Sequence, residues 1–378
     1  MRAPGGSDPR SPVQRLDVLL VIDVLGSGGA QRQLCELAAL LHERGVSVHI
    51  FTYHPADFYL DFLRERGIRY TTAPRRLSRL GRIRMVWRAI RRMRPRVVCT
   101  FLTGAGLMAE LARLCRIGDF GLVVSERHAD SSMTASVRFR HLMHSWADRV
   151  VVNSEAQRKF IAANASWLAD KTTCIRNCVD LDRFAPSRRN AANQRLRFAV
   201  VASYIPRKNP FGLLRGFAAY RAEAGSAAGR LDWYGNVNNS AEVYRASLAL
   251  RDELGLQLDV ALHDQVERIE TVYQSADVLC LAAFSEATPN VVCEAMASGL
   301  PVVASRVGDI PELIREGEHG FLFDPSRPDS IAAAMSRVTR LGSDERSAMA
   351  ERNRRRAVEL FGKDRFCNAW LAVLRPGS

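Results

Sequence analysis

This 378-residue chain is poor in lysine and lacks both long apolar runs and paired cysteine motifs. No apolar stretch approaches the roughly 20 residues of a membrane-spanning helix, and residues 1–15 are polar, without the apolar core of a signal peptide. The eight cysteines are scattered and form no C-x-x-C pair, which argues against a zinc site. We therefore expect a reduced, cytoplasmic protein with a short disordered lead over residues 1–14.

The basic charge comes almost entirely from arginine, because only four lysines (159, 171, 208, 363) contribute to the 54 Lys and Arg. The net charge is +14 and the sequence pI is about 9.9, which favours anionic partners. With arginine used so widely, a single arginine is weak evidence for a function. A lysine in a motif is correspondingly informative.

Residues 74–96 contain ten arginines, with Ile83, Val86, Trp87, Ile90 and Met93 at helical spacing. The pattern predicts a basic amphipathic helix over residues 82–94. Such a helix either lies on an anionic membrane or packs its apolar stripe on its own domain. No recognised nucleic-acid-binding motif accompanies the charge, so we expect no nucleic acid partner.

Strand and helix patterns alternate along the chain, which is typical of an α/β protein with parallel sheets. The length exceeds what a single core usually organises, so we expect two Rossmann-like domains facing across a cleft. A polar segment over residues 187–196 reads as the linker between an N-terminal domain (15–186) and a C-terminal one (197–363). The predicted strands are 16–22, 46–53, 96–102, 120–125 and 149–153 before the linker, and 197–202, 231–235, 258–262, 278–283 and 302–304 after it.

Glu286 and Glu294 are two carboxylates at a predicted junction between a loop and a helix. Pro289 suits the first helical position, and Gly299 with Pro301 ends the helix, which predicts a helix over residues 289–298. The free N–H groups at its start would face a phosphorylated ligand. The alternative is a pair of solvated helix glutamates.

Two further turns follow predicted strands. The first, Gly26-Ser-Gly-Gly-Ala-Gln31, has Gln31 where a dinucleotide fingerprint needs glycine or alanine, so NAD binding is disfavoured. Its glycines still allow backbone N–H groups to approach an anion. The second, Ser203-Tyr-Ile-Pro-Arg-Lys-Asn-Pro210, follows the first strand of the second domain and places Lys208 at the edge where open α/β sheets bind ligands.

The E-x7-E run of Glu286 and Glu294, the following EAMASGLPVV, and the segments 308–312 (GDIPE) and 318–323 (EHGFLF) resemble the retaining GT-B glycosyltransferases of family 4. The resemblance extends from about residue 16 to residue 374. It implies two Rossmann-like domains, with the last helix (364–378) returning to the first domain.

The resemblance also implies roles for individual residues. Glu286 would contact sugar hydroxyls and Glu294 the nucleotide ribose, while Lys208 would bind the donor diphosphate. Ser203 stands where the family usually has arginine, and Arg207 is a nearby cation. The other residues implied in donor or sugar binding are Gly28, Gly29, Thr288, Pro289 and Asn290, and either Arg127 or His128 beside the sugar.

The resulting hypothesis is a retaining transferase that moves a sugar from a nucleotide-diphosphate donor to a glycan or lipid-linked acceptor in cell-envelope or polysaccharide synthesis. We expect no cofactor and no metal, because no D-x-D pair stands at a strand end. The enzyme would work in the cytoplasm, at the inner face of the membrane if the arginine-rich helix binds lipid. Two alternatives remain: a nucleotide-sugar epimerase of GT-B fold, and a noncatalytic module that binds membranes or nucleic acids.

Overall fold

The structure is a computed structural model that describes residues 16–55, 58–127, 130, 132–187, 195–238 and 240–375. The predicted lead (1–14), most of the predicted linker (187–196) and His128 lie outside these residues. The described residues form two compact units, the first within the bounds Met1–Glu126, Thr134–Val151 and Trp370–Ser378, and the second within Arg127–Met133 and Val152–Ala369. These units differ from the predicted domains, whose boundary at residues 187–196 stays a prediction.

The first sheet is parallel and has seven strands in the order β3-β2-β1-β4-β5-β6-β7, and the first unit is built around β1 to β6. Its strands are apolar along their whole length; every residue of Val18–Ile22 is buried, for example, because helices cover both faces of the sheet. The strands are β1 (Val18–Ile22), β2 (Val48–Thr52), β3 (Arg69–Thr71), β4 (Val97–Phe101), β5 (Gly121–Glu126) and β6 (Arg149–Val152). The helices are α1 (Gly29–Glu43), α2 (Leu60–Glu65), α3 (Arg79–Met93), α4 (Thr103–Leu114) and α5 (Ala135–Met143), and a 3-10 turn, His144–Trp146, follows α5.

The second unit contains a parallel sheet with the order β10-β9-β8-β11-β12-β13. Its strands are β8 (Arg197–Val201), β9 (Arg230–Tyr234), β10 (Val260–His263), β11 (Val278–Leu281), β12 (Val302–Ser305) and β13 (Gly320–Phe323), and a short strand, β7 (Thr172–Cys174), precedes them. The helices are α6 (Glu155–Asn164), α7 (Pro210–Ala224), α8 (Ala241–Glu253), α9 (Ile269–Ser275), α10 (Asn290–Ala297), α11 (Ile310–Leu313), α12 (Pro328–Arg340) and α13 (Ser343–Phe361), and the last helix, α14 (Lys363–Leu374), begins in this unit.

The predicted α/β class with two Rossmann-like folds is confirmed by these two sheets. The sequence did not predict β3, β7 and β13. Runs of three residues, such as β3 and β7, carry too little periodicity to be recognised, and β13 lies in the segment 318–323, which was interpreted only as a family motif. Trp370, near the end of α14, belongs to the first unit, where its ring stacks on Phe101 with centroids 5.5 Å apart.

Both sheets have the strand order in which the first strand of the fold lies beside the fourth. In the first unit β1 pairs with β4, and in the second β8 pairs with β11. In each unit the chain leaves the two central strands towards opposite edges of the sheet. A crevice therefore opens at the carboxyl ends of these strands, where open α/β sheets bind ligands. The loops after β1, β8 and β11 carry most of the residues that the sequence singles out.

The arginine-rich helix is α3, and its apolar stripe packs on its own unit. Val86 and Ile90 are buried in the core, and Trp87 donates a hydrogen bond from Nε1 to the carbonyl of Met108 at 3.1 Å. The second interpretation of this stripe is therefore confirmed. The arginines 84, 88, 91 and 92 lie on the exposed side. Within the described residues, no helix combines the length and the apolar character that crossing a bilayer requires.

Candidate functional site

Lys208 and Glu286 meet at the carboxyl ends of β8 and β11. Lys208 ends a 3-10 turn, Pro206–Lys208, and Glu286 lies in the loop between β11 and α10. Two hydrogen bonds join the loops: Phe284 N–H donates to the carbonyl of Arg207 at 2.9 Å, and the Arg207 guanidinium donates to the carbonyl of Ser285 at 2.6 Å. These bonds fix the loop that carries Lys208 against the loop that carries Glu286.

The Lys208 ammonium donates directly to Oε1 of Glu286. Both side chains are largely buried, with 15% and 10% of their surface exposed. Arg207 approaches the same oxygen at 3.5 Å and remains half exposed. The sequence left open whether Arg207 adds charge here, and the structure places it beside Glu286. Ser203 lies at the start of the same turn, where its carbonyl accepts from Ile205 N–H at 2.9 Å.

Helix α10 begins beside this ion pair. Pro289 is its N-cap in an extended conformation, and the helix runs over Asn290–Ala297, one residue shorter at each end than predicted. Gly299 has φ +66°, which glycine adopts without strain at a helix C-terminus. The N–H groups of Val292 and Cys293 bond to the Pro289 carbonyl, so the amides of Asn290 and Val291 precede the first hydrogen bonds of the helix.

Glu294 is almost fully buried in the second turn of α10. Tyr273, at the end of α9, donates its hydroxyl hydrogen to Oε2 of Glu294 at 2.9 Å. The phenol therefore fixes the orientation of this carboxylate. From the sequence we expected Glu294 to lie beside a ligand, but we did not predict that Tyr273 hydrogen-bonds to Glu294.

Asp309 is fully buried and accepts hydrogen bonds from two separate segments. Ser154 Oγ donates to Oδ1 at 2.8 Å, and the N–H groups of Glu155 and Ala156 donate at 3.0 and 2.9 Å. The Thr288 hydroxyl lies 2.8 Å from Oδ2 and 2.7 Å from the carbonyl of Asn153. Asp309 thus binds the start of α6 to the loop that carries Glu286. The GDIPE segment contains it, but the sequence assigned it no role.

Gly308 shows why a glycine precedes this aspartate. Its φ is +53°, and a Cβ there would lie 1.9 Å from the carbonyl oxygen of Glu286. No other residue could let the two loops approach this closely without displacement. The backbone of Glu286 is therefore supported from the loop after β12.

Arg127 is connected to α10 through one intermediate side chain, Asn177. The Arg127 guanidinium donates to Asn177 Oδ1 at 2.6 Å, and Asn177 Nδ2 donates to Asn290 Oδ1 at 2.6 Å. Arg127 is thus held in the second unit together with the start of α10. The sequence did not predict this link through Asn177. His128, the alternative to Arg127, lies outside the described residues.

Gly28 and Gly29 belong to the first unit, in the turn between β1 and α1. Gly28 is the N-cap of α1 and Gly29 its first residue, and both are exposed. A Cβ on Gly28 would lie 2.3 Å from Oε1 of Gln31, whose side chain folds back over this turn. The glycine pair thus lies in the turn that follows the central strand β1, and its close approach to a ligand stays a prediction.

Two family models match the chain in succession. Residues 27–183 match the model described as Glycosyltransferase Family 4, and residues 195–340 match the model described as Glycosyl transferases group 1. Together the two ranges cover most of the chain. They include the glycine pair, Lys208, Asp309 and the glutamate pair.

Known glycosyltransferases are also similar to this chain in sequence or in structure. The D-inositol 3-phosphate glycosyltransferase of Mycobacterium tuberculosis is 28% identical over 235 residues, which are 61% of this chain and 48% of the relative. The match thus spans about half the length of the curated relatives. The Anabaena protein Alr3699/HepE, crystallised with UDP-glucose, has a TM-score of 0.81 at 18% identity and covers 94% of this chain and 99% of its own.

The lipopolysaccharide outer core galactosyltransferase WaaB has a TM-score of 0.73 at 17% identity, covering 95% of this chain and 99% of its own. At such identities these structures establish the fold rather than the substrate. The two successive family matches, the paired Rossmann-like sheets and the solved structures of the same fold agree: the chain belongs to the group 1 glycosyltransferases, family 4, with the GT-B fold.

Proposed function

We propose that this protein transfers a sugar from a nucleotide-diphosphate donor to an acceptor hydroxyl with retention of configuration. The observation that carries the proposal is the contact of Lys208 with Glu286, at the carboxyl ends of adjacent strands and beside the start of α10. A cation, a carboxylate and a helix N-terminus are thereby collected at one point. The cation suits a diphosphate, and the carboxylate suits sugar hydroxyls. The helix N-terminus suits a second phosphate oxygen.

The diphosphate is the leaving group, so charge accumulates on it as the glycosidic bond breaks. Lys208 and the amides of Asn290 and Val291 would stabilise that charge, with Arg207 as an additional cation. On binding, the donor phosphate would take Lys208 away from Glu286 and free the carboxylate for the sugar. Gly28 and Gly29 are proposed phosphate-approaching residues on the grounds of sequence.

Glu294 is the proposed ribose ligand. Tyr273 donates to Oε2 of this carboxylate and holds the group in one orientation. Ribose hydroxyls are donors that a carboxylate accepts well. The Anabaena relative binds UDP-glucose, which supports a nucleotide sugar as the donor here.

The proposed reaction is a displacement on one face of the sugar. The bond between the anomeric carbon and the leaving phosphate oxygen breaks, and the acceptor oxygen bonds to the same carbon from the same face. A phosphate oxygen of the leaving diphosphate takes the acceptor proton. Glu286 orients sugar hydroxyls and stabilises the positive charge that develops at the ring.

The proposed acceptor is a glycan or a lipid-linked glycan, at the cytoplasmic face of a membrane. The relatives act on an inositol phosphate and on a lipopolysaccharide core, according to their names. The exposed arginines 84, 88, 91 and 92 of α3 are suited to anionic headgroups. Arg127 is proposed as the residue beside the transferred sugar or the acceptor.

The test is a panel of nucleotide sugars incubated with and without envelope lipids, with donor and glycan products identified by mass spectrometry. Release of nucleoside diphosphate with formation of a glycosylated acceptor supports transfer, and product NMR establishes the anomeric configuration. Conversion of the donor with no acceptor present would instead indicate an epimerase. Salt-sensitive binding without diphosphate release from any donor would indicate a noncatalytic module.

A further inference from the structure

Helix α5 and the turn after it expose a stripe of large apolar side chains. Phe139, Leu142 and Trp146 are 54%, 59% and 46% exposed. Their spacing of three and four residues places them on one face of the helix and its continuation. Arg138 is exposed next to them, and α5 contains no acidic residue. We call Phe139, Leu142 and Trp146 the α5 stripe.

The opposite face of α5 buries ionisable groups. His141 and His144 are buried together with Glu110 and Glu126, and His144 Nδ1 lies 2.5 Å from Oε1 of Glu110. Arg140 donates from Nε to Glu126. A helix on the surface of a soluble domain normally buries its apolar face and exposes its charges. Helix α5 departs from this pattern, because it buries His141 beside Val137 and Met143 while Phe139 and Leu142 stay exposed.

The buried ionic cluster explains why the α5 stripe stays outside. Rotating α5 to bury the stripe would separate His144 and Arg140 from the carboxylates of Glu110 and Glu126 and leave buried charges without partners, which is costly. The exposure of the stripe is therefore imposed by the interior of the first unit. A contiguous apolar surface held outside in this way is typical of an interaction site, and it favours a partner that is apolar where the stripe meets it.

The neighbouring helix indicates the charge of that partner. Helices α3 and α5 both pack on α4: Trp87 of α3 bonds to Met108, and His144 after α5 contacts Glu110. The same helical layer of the first unit thus carries the exposed arginines 84, 88, 91 and 92 as well as the α5 stripe. A surface that is both anionic and apolar complements this layer.

We propose that this layer docks on an anionic lipid bilayer, with the α5 stripe inserted at the boundary between headgroups and acyl chains. Tryptophan and phenylalanine favour that boundary, and the α3 arginines bind the anionic headgroups beside it. This inference deepens the proposed membrane contact and rests on it, but it is independent of sugar transfer. The proposed apolar anchor is the α5 stripe, because the apolar stripe of α3 is buried in its own unit.

The test compares the full-length protein with the triple variant Phe139→Ser, Leu142→Ser, Trp146→Ser on vesicles of equal parts phosphatidylcholine and phosphatidylglycerol. We expect the partition constant to fall at least about tenfold, because removing one fully buried Leu or Phe already costs about that factor. The matched control is Phe58→Ser, Leu258→Ser, Trp167→Ser, which removes the same residue types from other exposed positions. This control should bind like the wild type.

Insertion is read directly from quenching by brominated lipids. Emission should be quenched in the wild type and largely unquenched in Trp146→Phe, with Trp167→Phe as the control. A second variant, with arginines 84, 88, 91 and 92 changed to Gln, should lose binding to anionic vesicles in a salt-dependent manner. Thermal unfolding of all variants checks that they fold.

Three results would overturn the proposal. Binding of the stripe variant equal to wild type, with loss only in the arginine variant, would mean an electrostatic contact without insertion. Failure of the wild type to bind would remove the membrane contact itself. A wild-type dimer that the stripe variant cannot form, with unchanged vesicle binding, would identify a second copy of the chain as the occupant. Transfer to a soluble acceptor, measured in parallel, tests the proposed reaction separately.

Discussion

At the residue scale, the pair formed by Lys208 and Glu286 carries the proposed chemistry. The two charges neutralise each other within a largely buried site, so neither is left unpaired before a donor arrives. A donor supplies a phosphate for the lysine and hydroxyls for the glutamate. The pair is therefore suited to exchanging one set of partners for another.

Glu286→Gln should lower the transfer rate by about 10²-fold to 10³-fold while nucleotide binding persists. The amide keeps the shape of the side chain but lacks the negative charge that favours a positively charged sugar centre. Calorimetry measures nucleotide affinity, and release of nucleoside diphosphate measures transfer. Glu351→Gln, on an exposed face of α13, is the control and should behave as wild type. Full transfer by Glu286→Gln would refute the assigned role.

Glu294→Gln should instead weaken nucleotide affinity, because an amide accepts ribose hydroxyls less strongly than a carboxylate. We expect a loss of about tenfold or more, which corresponds to one charge-assisted hydrogen bond. Tyr273→Phe should produce a smaller loss in the same direction, since Glu294 keeps its charge but loses the donor that orients it. Nucleotide titration by calorimetry checks both. An affinity unchanged in Glu294→Gln would separate this glutamate from the nucleotide.

At the scale of elements, Asp309 joins the start of α6 to the loop before α10. The four groups that hydrogen-bond to the Asp309 carboxylate are all donors: two backbone N–H groups and two hydroxyls. In Asp309→Asn the side-chain NH₂ would face donors and leave buried groups unsatisfied. We expect a loss of about 3 kcal/mol in the free energy of unfolding, measured by chemical denaturation. Asp344→Asn, on an exposed helix start, is the control, and equal stability of the two variants would contradict this role.

The His144 cluster ties α5 to α4 and makes the stability of the first unit depend on pH. Burial alone lowers the pKa of His144, but hydrogen bonds and charges from Glu110 and Glu126 outweigh it and raise the pKa from 6.5 to about 9. Burial likewise raises the pKa of Glu126, but His144, Arg140 and His141 outweigh it and lower the pKa from 4.5 to about 2. Both groups are therefore charged in the folded protein at neutral pH.

The raised pKa of His144 contributes stability that is fully present below pH 6.5 and lost as the pH rises through about 9. The loss should be on the order of 3 kcal/mol. The lowered pKa of Glu126 contributes stability that is present above pH 4.5 and lost as the pH falls towards 2. Denaturation midpoints between pH 6 and 10 measure the first effect. His144→Gln should remove that dependence, and a persisting slope in this variant would assign it to another group.

At the scale of the whole molecule, the proposed reaction should not need a metal ion. Lys208, Arg207 and the start of α10 supply positive charge at the proposed diphosphate position. Dialysis against EDTA should leave the initial transfer rate within about twofold, whereas Lys208→Met should lower it about 10²-fold. Lys171→Met is the matched control. Loss of activity in EDTA that Mg²⁺ or Mn²⁺ restores would overturn the metal-free proposal.

Much of the site could be predicted from the sequence because its parts are local. Glu286, Pro289, Asn290 and Glu294 lie within nine consecutive residues, and strand, turn and helix signals there placed α10 within one residue at each end. Lys208 was recognised because lysine is scarce and because its turn follows a strand. The hydrogen-bond partners of these residues could not be predicted, because they are distant in the sequence. Tyr273 is 21 positions from Glu294, and Asn177 is 113 positions from Asn290.

The sequence by itself determined the α/β class, the alternation of strands and helices and the family, because periodicity and short motifs depend on neighbouring residues. Tertiary structure alone decided which face of each helix is exposed and which side chains share a hydrogen bond. Helix α3 turns its apolar stripe inward onto α4, while α5 turns its stripe outward because distant Glu110 and Glu126 bind its charged face. Burial and pairing depend on residues that only folding brings together, and no local pattern contains that information.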